Sequence, residues 1–223
     1  MSQIKSIIFD LDGTLIDTEA VAESAIRDAF GKWGIEIEEQ DASYVTGRKW
    51  EAAFDLLFSK YPIPKSREEA AAEVIAMYRR NLDRELIVVK DAKAAIERLS
   101  RDFNLAIVSG SPRRDIEWSM RKLGVHPLFK FYLGAEDYLN SKPDPECYRA
   151  ALAKFGLKPN EALVFEDSTA GIRSATAAGI AVVAITSTNY FEQDHSRALE
   201  KIEDYTEVDS EWIRRFEKKH LAG

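Results

Sequence analysis

Residues Ile7 to Phe9 are continuously apolar, and the run ends on Asp10-Leu11-Asp12-Gly13. A short apolar run closed by a glycine turn predicts a buried strand. Two carboxylates at the end of such a strand need a metal, a hydrogen bond or a countercharge to offset burial. From residue 18 to about 85 the spacing is helical instead. Val21, Ala25, Ile26, Ala29, Phe30 and Trp33 form one apolar face, ended by Gly34, while Trp50, Phe54, Leu57, Phe58 and Tyr61 form a second, stopped by Pro62 and Pro64. Ser66-Arg67-Glu68-Glu69 has the spacing of a capping box and opens a third helix through Val74, Ile75, Tyr78 and Leu82.

Beyond residue 85 helix and strand alternate. DAKAAIERLSRDF reads as helix, NLAIVSG as strand, PRRDIEWSMRKLG as a helix with Pro112 suited to its first turn, and FKFYLGAED as strand. A helix from about Pro145, the strand ALVFED, a helix over residues 170–178 and the strand IAVVAIT follow. WIRRFEKKH closes the pattern as a last helix with a solvated basic face. Short apolar strands separated by helices predict an α/β fold, a mostly parallel sheet covered on both faces. Residues 1–16 supply one strand of it and residues 86–223 the rest, with residues 17–85 as a helical insert.

Composition narrows the function. A net charge of −7 argues against a nucleic-acid binder, which presents a basic stripe to phosphates. No apolar run approaches the roughly 20 residues of a membrane span, so no membrane partner is expected. MSQIKSIIFD lacks the features of a secretory signal, which makes the cytoplasm the expected location. The single cysteine, Cys147, excludes an internal disulfide and a cysteine metal site, and reads as a buried spectator.

In parallel sheets ligands bind beyond the carboxyl ends of the strands, at the switch in strand order. Four groups fall there: Asp10 to Asp12, Ser109 to Ser111, Glu166 to Ser168, and Lys142 in the loop after FKFYLGAED. Clustered carboxylates without a nearby histidine suit Mg²⁺ rather than zinc. Asp10, Asp167 and Glu166 can surround the ion, with Lys142 offsetting the excess negative charge. The Ser109 hydroxyl, Lys142 and backbone N–H groups at Gly110 and Gly13 can hold phosphoryl oxygens. The chemistry open to this set is phosphoryl transfer, with an aspartate as nucleophile and a second carboxyl two residues on as general acid and base.

These residues resemble the haloacid dehalogenase superfamily at four motifs: Asp10-Leu11-Asp12-Gly13-Thr14-Leu15 with Asp17-Thr18-Glu19 behind it, Ser109 in IVSGSP, Lys142 in SKPDPE, and Glu166-Asp167 in FEDSTAGI. The resemblance implies a Rossmann-like core with an inserted α-helical cap, a magnesium cofactor and phosphatase activity. By it Asp10 is nucleophile and metal ligand, and Asp12 is the general acid and base with its backbone carbonyl on the metal. Ser109, Gly110 and Lys142 bind the phosphoryl group, while Asp167 with Glu166 completes the metal site. The turn Gly47-Arg48-Lys49 resembles the family's specificity loop, which makes Arg48 a candidate substrate contact against the alternative of a solvated helix start; Arg113 and Arg114 carry the same two readings.

The expected function is hydrolysis of a small phosphorylated metabolite, with sugar or polyol phosphates favoured and a monomer or weak dimer as the working state. The alternative is a β-phosphoglucomutase-like phosphomutase, disfavoured because the position of that group's cap histidine is Ala22 here; less favoured is a non-catalytic phosphate-binding protein, since Asp10 and Asp12 are both retained. A Ser-His-Asp hydrolase is disfavoured: His126, His195 and His220 sit in loop or tail positions, and no G-x-S-x-G elbow is present.

Overall fold

The computed structural model describes residues 4–45, 50–84, 86–190 and 193–221, with the side chains of residues 51 and 52 excepted. The chain divides into two compact units, Met1–Ile16 with Val88–Gly223, and Asp17–Ile87.

The first unit is built on a parallel sheet with strand order β3-β2-β1-β4-β5-β6. The strands are β1 (Ser6–Phe9), β2 (Asn104–Val108), β3 (Phe129–Leu133), β4 (Ala162–Glu166), β5 (Ala181–Ile185) and β6 (Glu200–Ile202). The chain moves outward from β1 through β2 to β3, then returns to the other side of β1 as β4. The switch in strand order therefore lies between β1 and β4. This is the α/β parallel sheet the alternation predicts and the Rossmann-like core the resemblance implies. The sixth strand, Glu-Lys-Ile, was not expected: an exposed lysine between two half-buried residues makes no apolar run, and pairing with Val183 to Ile185 is what makes them a strand.

One sheet face carries Ile8, Val108, Val164, Val182 and Ala184, packed with Cys147, Tyr148, Ala151, Ile172 and Ala175 of α7 (Glu146–Phe155) and α8 (Thr169–Ala177). The other face is aromatic. Phe9 and Phe165 stack at 5.4 Å, Tyr205 lies 5.5 Å from Phe165, and Trp212 of α9 (Ser210–His220) lies 6.2 Å from it. Burial of Trp212, Ile213 and Phe216 leaves the basic residues of α9 outside. Cys147 is fully buried, as expected, with its Sγ 3.5 Å from the Ser174 hydroxyl. The remaining helices of this unit are α5 (Ala92–Leu99) and α6 (Arg113–Leu123).

The second unit contains α1 (Thr18–Lys32), α2 (Glu39–Ala42), α3 (Trp50–Lys60) and α4 (Arg67–Arg84). Ala22, Ile26, Phe30, Phe54, Leu57 and Val74 form its core, at the helical spacing read from the sequence. Asp17 caps α1 by accepting from Ala20 N at 3.0 Å. Ser66 and Glu69 make the reciprocal box, each backbone N–H bonded to the other's side chain at 3.2 Å. Glu73 accepts from Lys32, Lys65 and the Trp33 indole, and these donors pull its carboxyl down to about 2. Among the described residues no helix is long and apolar enough to cross a membrane.

Candidate active site

Sheet register assembles the site. Phe9 pairs with Ile107 on one side and Phe165 on the other, so the next residues, Asp10, Val108 and Glu166, stand level across three strands. Asp10 and Glu166 continue the alternation of Ile8 and Val164 and face the side covered by α7. Lys142 closes this row: its Nζ donates to Asp10 Oδ1 at 2.5 Å, to Glu166 Oε1 at 2.6 Å and to the Val108 carbonyl at 3.2 Å, over the Tyr148 ring at 5.2 Å.

Asp10, Glu166 and Asp167 each offer an oxygen within 4.8 Å of the others. Burial pushes the Asp10 carboxyl up to about 8, against the pull of Lys142 and with Glu166 and Asp12 adding to the rise. Asp167 is also driven well above the usual carboxylate range, by burial first and then by Glu166 and Asp10. Desolvation works against the Lys142 ammonium, but Asp10 and Glu166 outweigh it and hold it well above its ordinary value. Three clustered acids with one ammonium leave uncompensated negative charge in a low-dielectric setting. An oxygen-preferring divalent cation is the group that fits this donor set.

Glu166 is placed differently from the other two acids. Its Oε1 accepts from Lys142 and from the Tyr148 hydroxyl at 3.0 Å; its Oε2 accepts from Asp167 N at 3.1 Å and from Ser168 N and Oγ at 3.0 Å each. These donors occupy both oxygens, so Glu166 orients Lys142 and the Asp167 peptide. The turn of α8 passes so close that a Cβ on Gly171 falls 1.6 Å from Glu166 Oε1. Because that carboxylate is pinned and fully buried, it has little room to give. Gly171→Ala is expected to destabilise the protein by about 1–3 kcal/mol, measured by denaturant unfolding.

The turn after β1 is narrow. The Leu11 carbonyl accepts from Leu15 N at 2.8 Å and Ile16 N at 3.1 Å, and Gly13 adopts φ +79°. A side chain at Gly13 would meet Asp167 Oδ2 at 2.2 Å, so glycine is required by both conformation and space. Thr14 Oγ1 donates to Asp167 Oδ1 at 3.0 Å. Asp12 accepts from Ser111 Oγ at 2.6 Å and from Ser109 Oγ at 3.3 Å, while Ser109 Oγ itself accepts from Ser111 N at 3.0 Å. Next to it Gly110 is exposed, with open space where a Cβ would stand.

The structure thus brings together Asp10, Asp12, Ser109, Lys142, Glu166 and Asp167. Gly47, Arg48 and Lys49 lie outside the described residues. Arg113 bonds Asp137 through its guanidinium, and its backbone N–H meets the Glu136 carboxylate at 3.1 Å, so this arginine fastens α6 to the loop after β3. Arg114 is an exposed helix-start residue beside Asp115 at 3.3 Å. Thr14, Ser111, Tyr148 and His195 were not singled out. Thr14 and Ser111 stood inside the quoted motifs; Tyr148 lay unremarked in the helix expected from about Pro145; His195 was named only as a loop position in setting aside a Ser-His-Asp hydrolase.

A parallel sheet with buried acids and an ammonium at its switch point defines a Rossmann-like α/β protein with a charged site. A profile of haloacid dehalogenase-like hydrolases matches residues 7–185. The chain is 32% identical over 205 residues to validoxylamine A 7'-phosphate phosphatase of Streptomyces hygroscopicus subsp. limoneus, covering 92% of this chain and 95% of that protein. It is 28% identical to 6-phosphogluconate phosphatase of Escherichia coli, covering 82% of each. A crystal structure from Thermotoga maritima, described provisionally as a β-phosphoglucomutase, superposes with TM-score 0.81 at 25% identity, covering 98% of this chain and all of that one. The chain belongs to the haloacid dehalogenase-like hydrolase family.

Proposed function

We propose that this phosphatase, a hydrolase of phosphoric monoesters, takes small phosphorylated sugars or polyols as substrates, uses Mg²⁺ and works through an aspartyl phosphate on Asp10. The reading is carried by one observation, the row of Asp10, Lys142 and Glu166 joined by bonds of 2.5 and 2.6 Å beside Asp167. A nucleophilic carboxylate is there held next to the cation that fixes its orientation.

In this mechanism Asp10 attacks phosphorus and the P–O bond to the leaving alcohol breaks. Asp12 gives its proton to the departing oxygen, then takes one from the water that attacks the aspartyl phosphate, releasing inorganic phosphate and restoring Asp10. The two serines on Asp12 aim its carboxyl while it alternates between acid and base. Lys142, the Ser109 hydroxyl and the Gly110 backbone N–H bind phosphoryl oxygens. Asp10, Asp167 and the Asp12 carbonyl would hold the metal, with Glu166 beside them fixing the Asp167 peptide. When bound, Mg²⁺ offsets the charge of the phosphoryl group among these acids. The helical unit acts as the cap, with Arg48 as its substrate contact.

Hydroxylated phosphate substrates are supported by the relatives, which include a phosphatase of phosphorylated carbohydrates from Thermotoga maritima. The likeness to a β-phosphoglucomutase structure supports phosphomutase action as a second reading. Against it, the residue where such mutases carry a histidine is Ala22, buried in the helical unit and unable to move a proton. A panel of sugar, polyol and short-chain acid phosphates, scored for free phosphate and for isomerised product, separates the two. Free phosphate without isomer, abolished by EDTA and restored by Mg²⁺, is the expected result; isomerised sugar phosphate exceeding free phosphate would sink it.

A further inference from the structure

The segment between β5 and β6, residues 186–199, is not part of any motif, yet side chains and backbone along it reach both acid-bearing loops. Thr188 Oγ1 donates to the Gly13 carbonyl at 2.5 Å. Gln193 Oε1 accepts from Thr169 N at 2.8 Å, and Asp194 N donates to Thr169 Oγ1 at 2.7 Å. His195 Nε2 lies 2.5 Å from the Asp167 carbonyl. A carbonyl only accepts, so Nε2 carries the hydrogen. His195 is 4% exposed and Thr188 8%, which shields both bonds from competing water.

These bonds grip two loops that touch each other. Gly13 and Asp167 are so close that any Cβ on Gly13 would overlap the Asp167 carboxylate, and Thr14 of the same turn bonds that carboxylate directly. The strap is itself anchored where it leaves the sheet, by Thr186 N to the Ile202 carbonyl at 2.9 Å. The position of the Asp167 side chain relative to Asp10 is therefore set from both ends: Glu166 holds the Asp167 N–H and His195 holds its C=O.

We propose that His195 is a positioning residue for the metal-binding acids: its bond to the Asp167 carbonyl, with Thr188 on Gly13, fixes the separation of the two loops that supply the ligands. The inference rests on the reading of Asp10 and Asp167 as Mg²⁺ ligands. Outer partners of this kind typically set metal affinity by about 10–100-fold.

The test is calorimetric titration of the whole metal-free chain with Mg²⁺ alone, alongside metal-free melting temperatures. His195→Phe keeps a planar ring, somewhat larger than the imidazole, and removes the donor; His195→Gln restores an N–H. The expected result is Mg²⁺ binding about 10–100-fold weaker in His195→Phe and largely recovered in His195→Gln, while the two variants melt alike without metal. Recovery then follows the donor and not packing. Wild-type affinity in His195→Phe, or no recovery in His195→Gln, overturns the proposal. Should His195→Phe not fold, Thr188→Val loosens the strap at its other end, and unchanged Mg²⁺ affinity there overturns the proposal equally. Failure of the wild-type chain to bind Mg²⁺ is a separate result, which overturns the metal reading itself and this inference with it.

Discussion

Asp10→Asn is expected to lower kcat by about 10³-fold or more, because the amide is no nucleophile toward phosphorus and nothing beside it replaces the lost carboxylate. Glu166 is held by donors at both oxygens, and Asp12 stands on the Ser109 and Ser111 hydroxyls. The same change is expected to leave the metal-free fold as stable as before or more so. Burial drives the Asp10 carboxyl up to about 8, meaning that the folded chain disfavours its charge, and a neutral amide of the same shape removes that cost. Phosphate release from p-nitrophenyl phosphate, measured with a thermal melt, checks both halves. Retained turnover removes Asp10 as nucleophile; lost turnover with a lowered melting temperature means that unfolding accounts for the defect.

Lys142→Met is expected to fail in the opposite way, losing stability and activity together. The ammonium is the group that joins Asp10, Glu166 and the Val108 carbonyl, and the Lys142 and Glu166 side chains are 11% and 0% exposed. Removing one partner of a buried ion pair leaves the other uncompensated and costs about 3–5 kcal/mol. A methionine fills the stem's volume, so the loss is electrostatic rather than a cavity effect. Activity is expected to fall about 10²–10³-fold through loss of the charge proposed to hold the transferring phosphoryl group. Arginine is not expected to rescue: its planar fork does not fit the space of a compact ammonium above the Tyr148 ring. Urea unfolding and phosphate release test this, and a Lys142→Met protein as stable as wild type would show that the buried pair contributes no net stability.

Much of the candidate set was legible because it sits in local, high-contrast sequence. Asp10 and Asp12 interrupt an apolar strand at a glycine turn, and Glu166-Asp167 interrupts another; both contrasts follow from the cost of burying charge. Lys142 was legible through its place in the loop after FKFYLGAED and the charge it offers to the neighbouring acids, since its loop has no periodicity of its own. Glu166 stands beside Asp10 and Asp167 as expected, but the donors that also meet its carboxylate could not be read from the sequence. A carboxylate that accepts from Lys142, Tyr148, Asp167 and Ser168 cannot be told in sequence from one free to bind a cation.

Tyr205 marks the same boundary. Its ring completes the aromatic face of the sheet, yet among the described residues its buried hydroxyl has no partner, a feature invisible in the sequence. The charged pair Lys90-Asp91 shows it from the other side: Asp91 takes a left-handed φ of +59°, steadied by a 3.0 Å bond from Thr206, whereas nothing in the residues before or after it announces that conformation.

By itself the sequence determined the alternation of elements, the faces that bury, and the acids at the strand ends, because periodicity and the cost of buried charge act over a few residues. Tertiary structure alone decided which strands lie side by side, that Asp10, Val108 and Glu166 stand level under one ammonium, and that a histidine nearly thirty residues beyond Asp167 grips its carbonyl. Those outcomes depend on register between strands distant in the chain, and a hydrogen bond closing so long a loop leaves no periodic trace in the residues that make it.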